Sequence, residues 1–187
     1  MAHDYSIPKP YVFDQEMMKR FQRAGDLTMQ YNRTSEGQQE IRRKILAQLL
    51  GKQGRDVLVI PAFRCQYGSN IILEDNVIVK FNCTFMDNAA IHIGHHTLIG
   101  SNCSLYTVNH ALDPDERAKG YCVDKPIHIG SRVWLGGNVV IMPGVSIGDS
   151  SVIGAGSVVT KDIPSGVIAA GNPCRVIRSI DVKDRLL

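Results

Sequence analysis

His110 is the residue of this sequence whose type and setting best fit a proton-transfer role. It lies where a polar segment begins, in the run Tyr106-Thr107-Val108-Asn109-His110. An imidazole with a pKa of about 6.5 accepts a proton from a hydroxyl group near neutral pH, which is the task of a general base. A single histidine in a loop is more often a solvated side chain, so the residue type alone leaves both interpretations open.

A second group of candidates lies near the C-terminus and carries positive charge. Thr160-Lys161 offers a hydroxyl and a cation, and Arg175 and Arg178 are three residues apart. Ammonium and guanidinium groups suit phosphate recognition. The two arginines would face opposite sides in an extended chain and the same side in a helical turn. These residues indicate either a phosphate site or ordinary surface charge.

The remaining histidines raise the alternative of a zinc site. His92 and His128 share the local pattern Ile-His-Ile-Gly and should point outward from strands, and His95-His96 falls at a turn. Zinc needs neutral imidazoles that converge at about 2.0–2.1 Å from the metal. Nothing in the spacing forces such convergence. We therefore expect no metal and predict that the histidines other than His110 are solvated surface residues.

The segments that must position these residues repeat every six positions. Aliphatic side chains recur at this spacing, and a small or branched residue follows each of them four positions later. The aliphatic series is Ile129, Leu135, Ile141, Ile147, Ile153 and Val159, and glycine directly follows four of its members. The repeat extends upstream through Leu73 to Leu105, with a slip of two residues between Ile91 and Ile93. This period predicts a parallel β-helix with the aliphatic residues inside and glycine giving the turns conformational freedom.

The chain departs from the repeat in two places. Residues 109–126 (NHALDPDERAKGYCVDKP) are polar and contain two prolines, which predicts a loop extruded from the coil and, at this length, a functional one. Residues 1–58 lack the six-residue period. There Asp14 is predicted to cap a helix that ends near Gly25, and Ser35 with Gln38 to form the capping box of a second helix.

The second predicted helix carries an apolar stripe at Ile41, Ile45 and Leu49 and ends at Gly51. We expect the two helices to cover the open end of the coil. The predicted fold is thus mainly β, with an N-terminal helical segment (1–58), a β-helix domain (59–180) with the extruded loop, and a C-terminal tail (181–187).

Composition excludes several classes of partner. The 187 residues contain 21 basic and 18 acidic side chains, a net charge of +3. That charge, without a basic run, does not favour nucleic-acid binding. We see no apolar run of membrane-spanning length and no signal-peptide pattern, so we expect a cytoplasmic protein that does not bind membranes. The five cysteines form no CxxC motif, and we expect free thiols.

These features resemble the sugar O-acetyltransferases of the hexapeptide-repeat superfamily, such as the galactoside, maltose and nodulation acetyltransferases. The resemblance covers essentially the whole chain and is most specific over residues 61–180. The motifs that carry it are Tyr67-Gly68-Ser69-Asn70, Asn82-Cys83-Thr84-Phe85-Met86-Asp87, Asn109-His110, Val133-Trp134-Leu135-Gly136, residues 154–164 (GAGSVVTKDIP) and Ala170-Gly171-Asn172-Pro173. The resemblance implies that the β-helix is left-handed, an exception to the usual right-handed crossover.

The resemblance also implies direct acetyl transfer from acetyl-CoA to a hydroxyl group of a sugar or similar small acceptor, without a metal. His110 matches the family's general base. The matches to coenzyme A contacts are Lys80, Trp134, Gly137, Ala155, Thr160, Lys161, Arg175 and Arg178. Asn88 and Cys122 match acceptor contacts. Family members are homotrimers with sites between subunits, so the same assembly is expected here.

Two departures from the family concern the acceptor and the catalyst. Val79-Lys80-Phe81-Asn82 stands where the family has Ala-Asn-Phe-Asn, so Lys80 replaces an asparagine beside the reacting thioester. A lysine there could stabilise a developing oxyanion or point into solvent. Phe21 stands where the galactoside enzyme has an arginine. The alternatives are a xenobiotic or serine acetyltransferase, a non-catalytic scaffold, and a carbonic anhydrase-like zinc protein.

Overall fold

The structure, a computed structural model, describes residues 9–187. Its helices are α1 (Gln15–Asn32), α2 (Gln39–Leu49) and α3 (Pro114–Ala118), with a short 3₁₀ helix at Val182–Asp184. Its strands are β1 (Lys52–Gln53), β2 (Leu58–Val59), β3 (Phe63–Cys65), β4 (Ile71–Leu73), β5 (Ile78–Val79), β6 (Cys83–Met86), β7 (Ile91–Ile93), β8 (Leu98–Ile99), β9 (Ser104–Tyr106), β10 (Val108–His110), β11 (Cys122–Asp124), β12 (Ile127–Ile129), β13 (Trp134–Leu135), β14 (Val140–Ile141), β15 (Ser146–Ile147), β16 (Val152–Ile153), β17 (Val158–Val159), β18 (Val167–Ala170) and β19 (Arg175–Ser179).

Three parallel sheets form the faces of a β-helix. Face 1 contains β1, β4, β7, β12 and β15, and face 3 contains β3, β6, β9, β14 and β17. Face 2 contains β2, β5, β8, β13, β16 and β18, and β19 pairs antiparallel with β18 at its edge. Each coil contributes one strand to each face in turn. The prediction of a mainly β, parallel β-helix fold is confirmed.

The aliphatic position of the repeat forms the interior. Ile129, Leu135 and Ile141 are fully buried, and the small or branched position is buried beside them. Where that position is serine, its hydroxyl is paired inside: Ser151 Oγ donates to Pro164 O at 2.7 Å and Ser157 Oγ to Gly154 O at 2.6 Å. The six-residue period therefore corresponds to one inward aliphatic side chain per strand, as predicted.

The repeat glycines serve a different purpose from the one predicted. None of the glycines that directly follow an aliphatic residue has a positive φ. They are required because neighbouring coils approach closely: a Cβ at Gly100 would lie 2.6 Å from Gly136 C, and one at Gly136 would lie 2.6 Å from Ala155 N. The left-handed turn positions are taken by residues such as Asn102 and Asn138, with φ of 60° and 58°. Asparagine tolerates this conformation better than most side chains.

Helix α1 begins where the sequence predicts and ends later. Asp14 Oδ1 accepts a hydrogen bond from Met17 N at 2.8 Å, which confirms the cap. The prediction that the helix stops near Gly25 is wrong, because α1 continues to Asn32. Glycine inside a helix costs only about 1 kcal/mol. Burial of Leu27 and Tyr31 beyond it outweighs that cost.

Helix α2 departs from its prediction in two details. Only half of the capping box forms: the Gln38 side chain accepts from Ser35 N at 2.8 Å, and Gln38 itself is the N-cap without a capping side chain. Ile41 is 45% exposed, so it lies outside the buried stripe of the helix. The buried residues of α2 are Arg42, Ile45, Leu46 and Leu49.

The two helices cover the first coil, as predicted. The Tyr31 hydroxyl donates to Val59 O, and the Asn32 amide forms two hydrogen bonds of 2.9 Å with the backbone of Phe63. β1 already pairs with β4 from Lys52, so the coil begins inside the segment 1–58 that the sequence assigned to the helices.

No helix within residues 9–187 is long and apolar enough to cross a membrane. All five cysteines are free thiols, as predicted.

Candidate functional site

The segment 109–126 leaves the coil as an ordered hairpin rather than an irregular loop. β10 and β11 pair antiparallel with Val108 opposite Asp124 and His110 opposite Cys122. The short helix α3, capped by Asp113, lies at its tip. We call the turn from face 3 to face 1, from which the hairpin projects, the loop corner. The predicted extrusion is confirmed, and α3 is an element that the sequence did not predict.

His110 is exposed on this hairpin and contacts a thiol. Cys122 Sγ lies 3.2 Å from His110 Nδ1. Tyr11 flanks the other side of Cys122: Tyr11 N donates to Cys122 O at 3.0 Å and Cys122 N to Tyr11 O at 2.8 Å. Tyr11 therefore lies beside β11 as a third extended segment of the hairpin, and Cys122 lies between Tyr11 and His110.

Asn88 is brought to the same place through Tyr11. Asn88 Nδ2 donates to the Tyr11 hydroxyl at 3.2 Å, and that hydroxyl donates to Asp124 Oδ1 at 3.0 Å. Burial raises the pKa of Tyr11 and that of Asp124. The structure therefore gathers His110, Cys122 and Asn88 at the loop corner.

A buried carboxylate holds the turn beneath this group. Asp87 is fully buried and accepts hydrogen bonds from Gln66 N, Tyr67 N and Asn70 N at 3.0, 2.8 and 3.1 Å. Burial raises the pKa of its carboxyl group, and the backbone N–H groups oppose that rise. Asn70 Nδ2 in turn donates to Asn88 O at 3.1 Å. Asp87 and Asn70 therefore set the backbone position of Asn88.

Two buried polar atoms near this turn lack a partner. The Tyr67 hydroxyl and Asn88 Oδ1 form no hydrogen bond within residues 9–187. Arg20 of α1 approaches the same turn, with its guanidinium 4.2 Å from the centre of the Tyr67 ring and hydrogen-bonded to Ser69 Oγ at 3.1 Å. The next residue, Phe21, stands where the galactoside enzyme has an arginine, and it is 44% exposed. The guanidinium at this surface therefore comes from Arg20. Unpaired buried polar atoms are uncommon and call for a ligand or water.

Three of the predicted coenzyme A residues lie on a different corner. Lys80 follows β5, Gly137 follows β13 and Ala155 follows β16, all in the turn from face 2 to face 3, which we call the glycine corner. Lys80 N donates to Ile99 O at 2.9 Å as part of the regular coil, and its side chain is half-buried. Gly137 and Ala155 add little side-chain bulk, so backbone groups line this corner.

Trp134 and the two arginines lie on the outer surface of face 2. Trp134, Val152, Ile168 and Arg178 are consecutive partners across β13, β16, β18 and β19. Three strand spacings of about 4.8 Å separate the first from the last. Trp134 is 51% exposed, and Arg178 is held by Asp184 through two bonds of 2.7 Å.

A bulge decides the orientation of the arginines. Arg175 pairs with Ala170 and Arg178 with Ile168, and the register shifts between them. Directly opposed residues in an antiparallel pair point to the same side. Since Ala170 and Ile168 both point away from the buried Ala169, both arginines lie on the outer side. The bulge thus places both arginines on the same side of an extended strand, which the sequence analysis expected only for a helical turn.

Thr160 and Lys161 are not beside the other coenzyme A candidates. They follow β17, on the loop corner, and both are exposed. Two coils, or about 10 Å, separate them along the axis from β9, which leads into the hairpin. Within one chain, face 3 therefore lies between the hairpin with His110 and the corner with Lys80, Gly137 and Ala155.

Comparison with known proteins decides the family. Residues 9–54 match the maltose acetyltransferase hexapeptide capping motif, and residues 126–161 match the bacterial transferase hexapeptide (six repeats). The galactoside O-acetyltransferase of Escherichia coli is 42% identical over 163 residues, which are 87% of this chain and 80% of that protein. The chain belongs to the hexapeptide-repeat acetyltransferases.

Solved structures match this acetyltransferase over nearly its whole length. A maltose O-acetyltransferase from Clostridium difficile 630 has a TM-score of 0.91 and 42% identity, covering 93% of this chain and 94% of that one. A galactoside acetyltransferase in complex with coenzyme A has a TM-score of 0.92 and 39% identity, covering 94% and 88%. The helical cap and the coils are therefore both shared with these proteins.

Within residues 9–187, the histidines other than His110 do not converge as zinc ligands. The His92 and His128 rings stack with centroids 4.8 Å apart, with their Nδ1 atoms 3.1 Å apart. His92 Nε2 lies 3.0 Å from Glu74 Oε1. Burial and His92 lower the pKa of His128. Within residues 9–187 no group of three or more potential ligands gathers. The prediction of solvated histidines is wrong for His92, which is half-buried and paired.

Sequence reasoning assigned no role to several residues of the candidate site, namely Tyr11, Arg20, Tyr67, Asp87 and Asp124. One signal for Asp87 was available, because it follows the inward residues Cys83 and Phe85 in alternation and therefore places a carboxylate at an inward position. Tyr11 and Arg20 gave no such signal, since their partners lie 111 and 49 residues away in the chain.

Proposed function

We propose that this acetyltransferase transfers the acetyl group of acetyl-CoA to a hydroxyl group of a sugar or similar acceptor, with His110 as the general base. The observation that carries the proposal is an exposed imidazole in contact with Cys122 on the hairpin, at the same corner to which Tyr11 brings Asn88. Since Nδ1 contacts Cys122, Nε2 is the nitrogen left to meet a hydroxyl group.

The proposed reaction needs one proton acceptor and no covalent enzyme intermediate. The acceptor oxygen attacks the thioester carbonyl while its proton passes to His110 Nε2. The carbon–sulfur bond then breaks, and the coenzyme A thiolate leaves and takes up the proton from the imidazolium. A positioned base of this kind contributes about 10²–10⁴-fold to the rate. No step requires a metal ion.

A polyhydroxylated acceptor fits the unpaired groups of the loop corner. The Tyr67 hydroxyl and Asn88 Oδ1 are buried without a partner within residues 9–187, and Arg20 lies over the Tyr67 ring. Hydroxyl groups donate and accept, so a sugar could pair with both atoms. Cys122 completes this acceptor set beside His110.

Acetyl-CoA fits the residues of the glycine corner and face 2. Trp134 offers an exposed ring, Gly137 and Ala155 leave backbone groups accessible, and Arg175 and Arg178 share one outer side for phosphate groups. Thr160 and Lys161 complete the proposed contacts. In this proposal the Lys80 ammonium group stabilises the developing oxyanion. Replacing it by the family's asparagine (Lys80→Asn) should change kcat, and unchanged kinetics on every acceptor would remove it from the site.

We further propose that the active unit is a cytoplasmic homotrimer. Face 3 separates His110 from the glycine corner within one chain, so a neighbouring chain is the natural source of the missing half of each site. Co-expressed His110→Ala and Trp134→Ala chains should then recover activity, because some sites combine two intact halves. Mixtures no more active than the separate variants would exclude shared sites.

The first experiment is release of free coenzyme A thiol from acetyl-CoA against a panel of sugars. His110→Ala should lower turnover by about 10²–10⁴-fold while coenzyme A binding stays intact. His95→Ala, which removes an exposed histidine outside the site, is the matched control. Full turnover by His110→Ala would overturn the proposal. Binding of coenzyme A without release on any sugar would direct the search to other hydroxyl groups and to amines.

A further inference from the structure

The contact between Cys122 and His110 suggests a function for the thiol that goes beyond acceptor binding. We propose that Cys122 is a positioning residue that keeps the proton of neutral His110 on Nδ1 and leaves the lone pair on Nε2. The inference rests on the proposed role of His110 as general base. It concerns a side chain that does not itself take part in acetyl transfer.

The backbone register brings the two side chains together. Both backbone polar groups of Cys122 are bonded to Tyr11, at 3.0 and 2.8 Å, so they point away from β10. His110 and Cys122 therefore form a non-hydrogen-bonded pair, the type in which opposed side chains lie closest, with a Cα separation of about 4.5 Å. The 3.2 Å contact between Sγ and Nδ1 follows from this register.

The second contact of the thiol supports one direction for the contact with His110. A thiol has one hydrogen, and Cys122 Sγ also lies 3.6 Å from Gly120 O, as donor to that carbonyl. No backbone N–H group within residues 9–187 pairs with Gly120 O, so the thiol is its protein donor. With the thiol hydrogen directed to Gly120, sulfur offers only lone pairs to the ring. In this arrangement Nδ1 carries the proton and donates it to sulfur.

The surroundings keep the thiol neutral. Burial and the nearby Asp124 carboxylate raise the pKa of Cys122. A neutral thiol retains the hydrogen that it donates to Gly120, and it does not compete with His110 for the acceptor proton. The same Nδ1–H group remains bonded to sulfur when His110 becomes an imidazolium, so the ring need not rotate during the reaction.

The tautomer can be measured directly by long-range ¹H–¹⁵N correlation on the ¹⁵N-labelled full-length protein, with His110→Ala to assign the signal. The spectra are recorded at a pH of about 8, above the pKa of about 6.5 of a free imidazole. We expect the Nδ1–H form to dominate in the unsubstituted protein. Cys122→Ala should shift His110 toward the mixture of a free imidazole, and Cys122→Ser should restore part of the original population. Cys174→Ala, which removes a buried thiol outside the hairpin, should change nothing.

Turnover supplies the second readout. Loss of one hydrogen bond that orients the base should lower kcat by about two- to tenfold in Cys122→Ala, with an unchanged KM for acetyl-CoA. A merely structural role would leave the tautomer unchanged. An Nε2–H form in the unsubstituted protein, an unchanged tautomer in Cys122→Ala, or a shifted tautomer with unchanged kcat would each overturn the proposal.

The two proposals fail in distinguishable ways. If His110→Ala retains full turnover while the tautomer still follows Cys122, the general-base role is wrong and the effect of Cys122 on the ring is real but not catalytic. If His110→Ala abolishes turnover while the tautomer ignores Cys122, the base is correct and Cys122 does not position it.

Discussion

The glycine corner and the loop corner flank the same face of the β-helix, and different parts of the chain hold them in shape. At the glycine corner, backbone atoms of successive coils approach so closely that no Cβ fits at Gly100 or Gly136. At the loop corner, order depends on side chains, with Asp87 accepting three backbone hydrogen bonds and Tyr11 linking Asn88 to Asp124.

This difference shows how a repetitive fold acquires chemistry. The repeat yields a rigid wall with little side-chain bulk, which suits a long ligand such as coenzyme A. Because every coil is alike, the repeat cannot by itself gather an imidazole, a thiol and an amide. The hairpin and the N-terminal segment interrupt the repeat and bring those groups together.

The largest effect on stability is expected at the glycine corner. Gly136→Ala places a Cβ 2.6 Å from Ala155 N, so the stacked coils must separate. We expect a loss of about 2–3 kcal/mol in the free energy of unfolding. Gly137→Ala is the matched control, because its Cβ would meet only Ser101 O at 3.4 Å. Equal losses in chemical denaturation would refute the close-approach explanation.

A smaller loss of stability is expected at the loop corner from Asp87→Asn. The amide keeps one acceptor oxygen and presents an NH₂ group to backbone donors, which costs about 1–3 kcal/mol. Burial raises the pKa of Asp87, so removal of the charge offsets part of this loss. Thermal denaturation should show a much smaller change for Asp162→Asn, whose exposed carboxylate accepts from Ser146 N. If Asp87→Asn leaves the stability unchanged, the turn does not depend on the carboxylate.

Tyr11→Phe should weaken the binding of the acceptor rather than change the fold. Without the hydroxyl, the Asn88 amide loses the partner that fixes its orientation. Loss of one hydrogen bond of about 1 kcal/mol corresponds to roughly a fivefold rise in KM for the acceptor, with KM for acetyl-CoA unchanged. Tyr121→Phe on the same hairpin is the control, since Tyr121 is exposed. An equal change in both KM values would show general disruption of the hairpin.

The smallest effect is expected from Asp184→Asn, which frees Arg178. The Arg178 guanidinium lowers the pKa of Asp184 from 3.8 to about 2, so the carboxylate stays ionised at neutral pH. The contribution of this pair to stability is present above pH 3.8 and is lost as the pH falls toward about 2. Freed Arg178 should bind acetyl-CoA about twofold more tightly at low salt. Titration calorimetry with acetyl-CoA measures this affinity. The control is Asp26→Asn, which removes one exposed negative charge away from Arg178. Weaker binding by Asp184→Asn would exclude Arg178 from phosphate recognition.

The fold was largely predictable from the sequence, because the repeat encodes its own geometry. One inward aliphatic residue recurs per strand, and Ile129, Leu135 and Ile141 are buried accordingly. The sequence also located the extruded segment and the cap at Asp14, since both have local signals. It misplaced the end of α1, because burial of Tyr31 outweighs the local cost of Gly25.

Only part of the candidate site could be predicted. His110 was singled out by its type and its place in the polar segment, and Asn88 and Cys122 were named through the resemblance. The contacts among these residues were not predicted. The alternation of Cys83, Phe85 and Asp87 contained a signal for a buried carboxylate. Arg20 and Tyr11 had none, because hydrogen bonds between distant segments leave no trace in local spacing.

What the sequence by itself determined is the stacking of coils, since a six-residue period of aliphatic side chains has one efficient way to be buried. The tertiary structure decided where the functional groups meet. The bulge in β19 places Arg175 and Arg178 on one side, and Tyr11 holds Cys122 against His110. Both depend on backbone register between segments, which hydrogen bonds set in three dimensions and no local pattern of residues encodes.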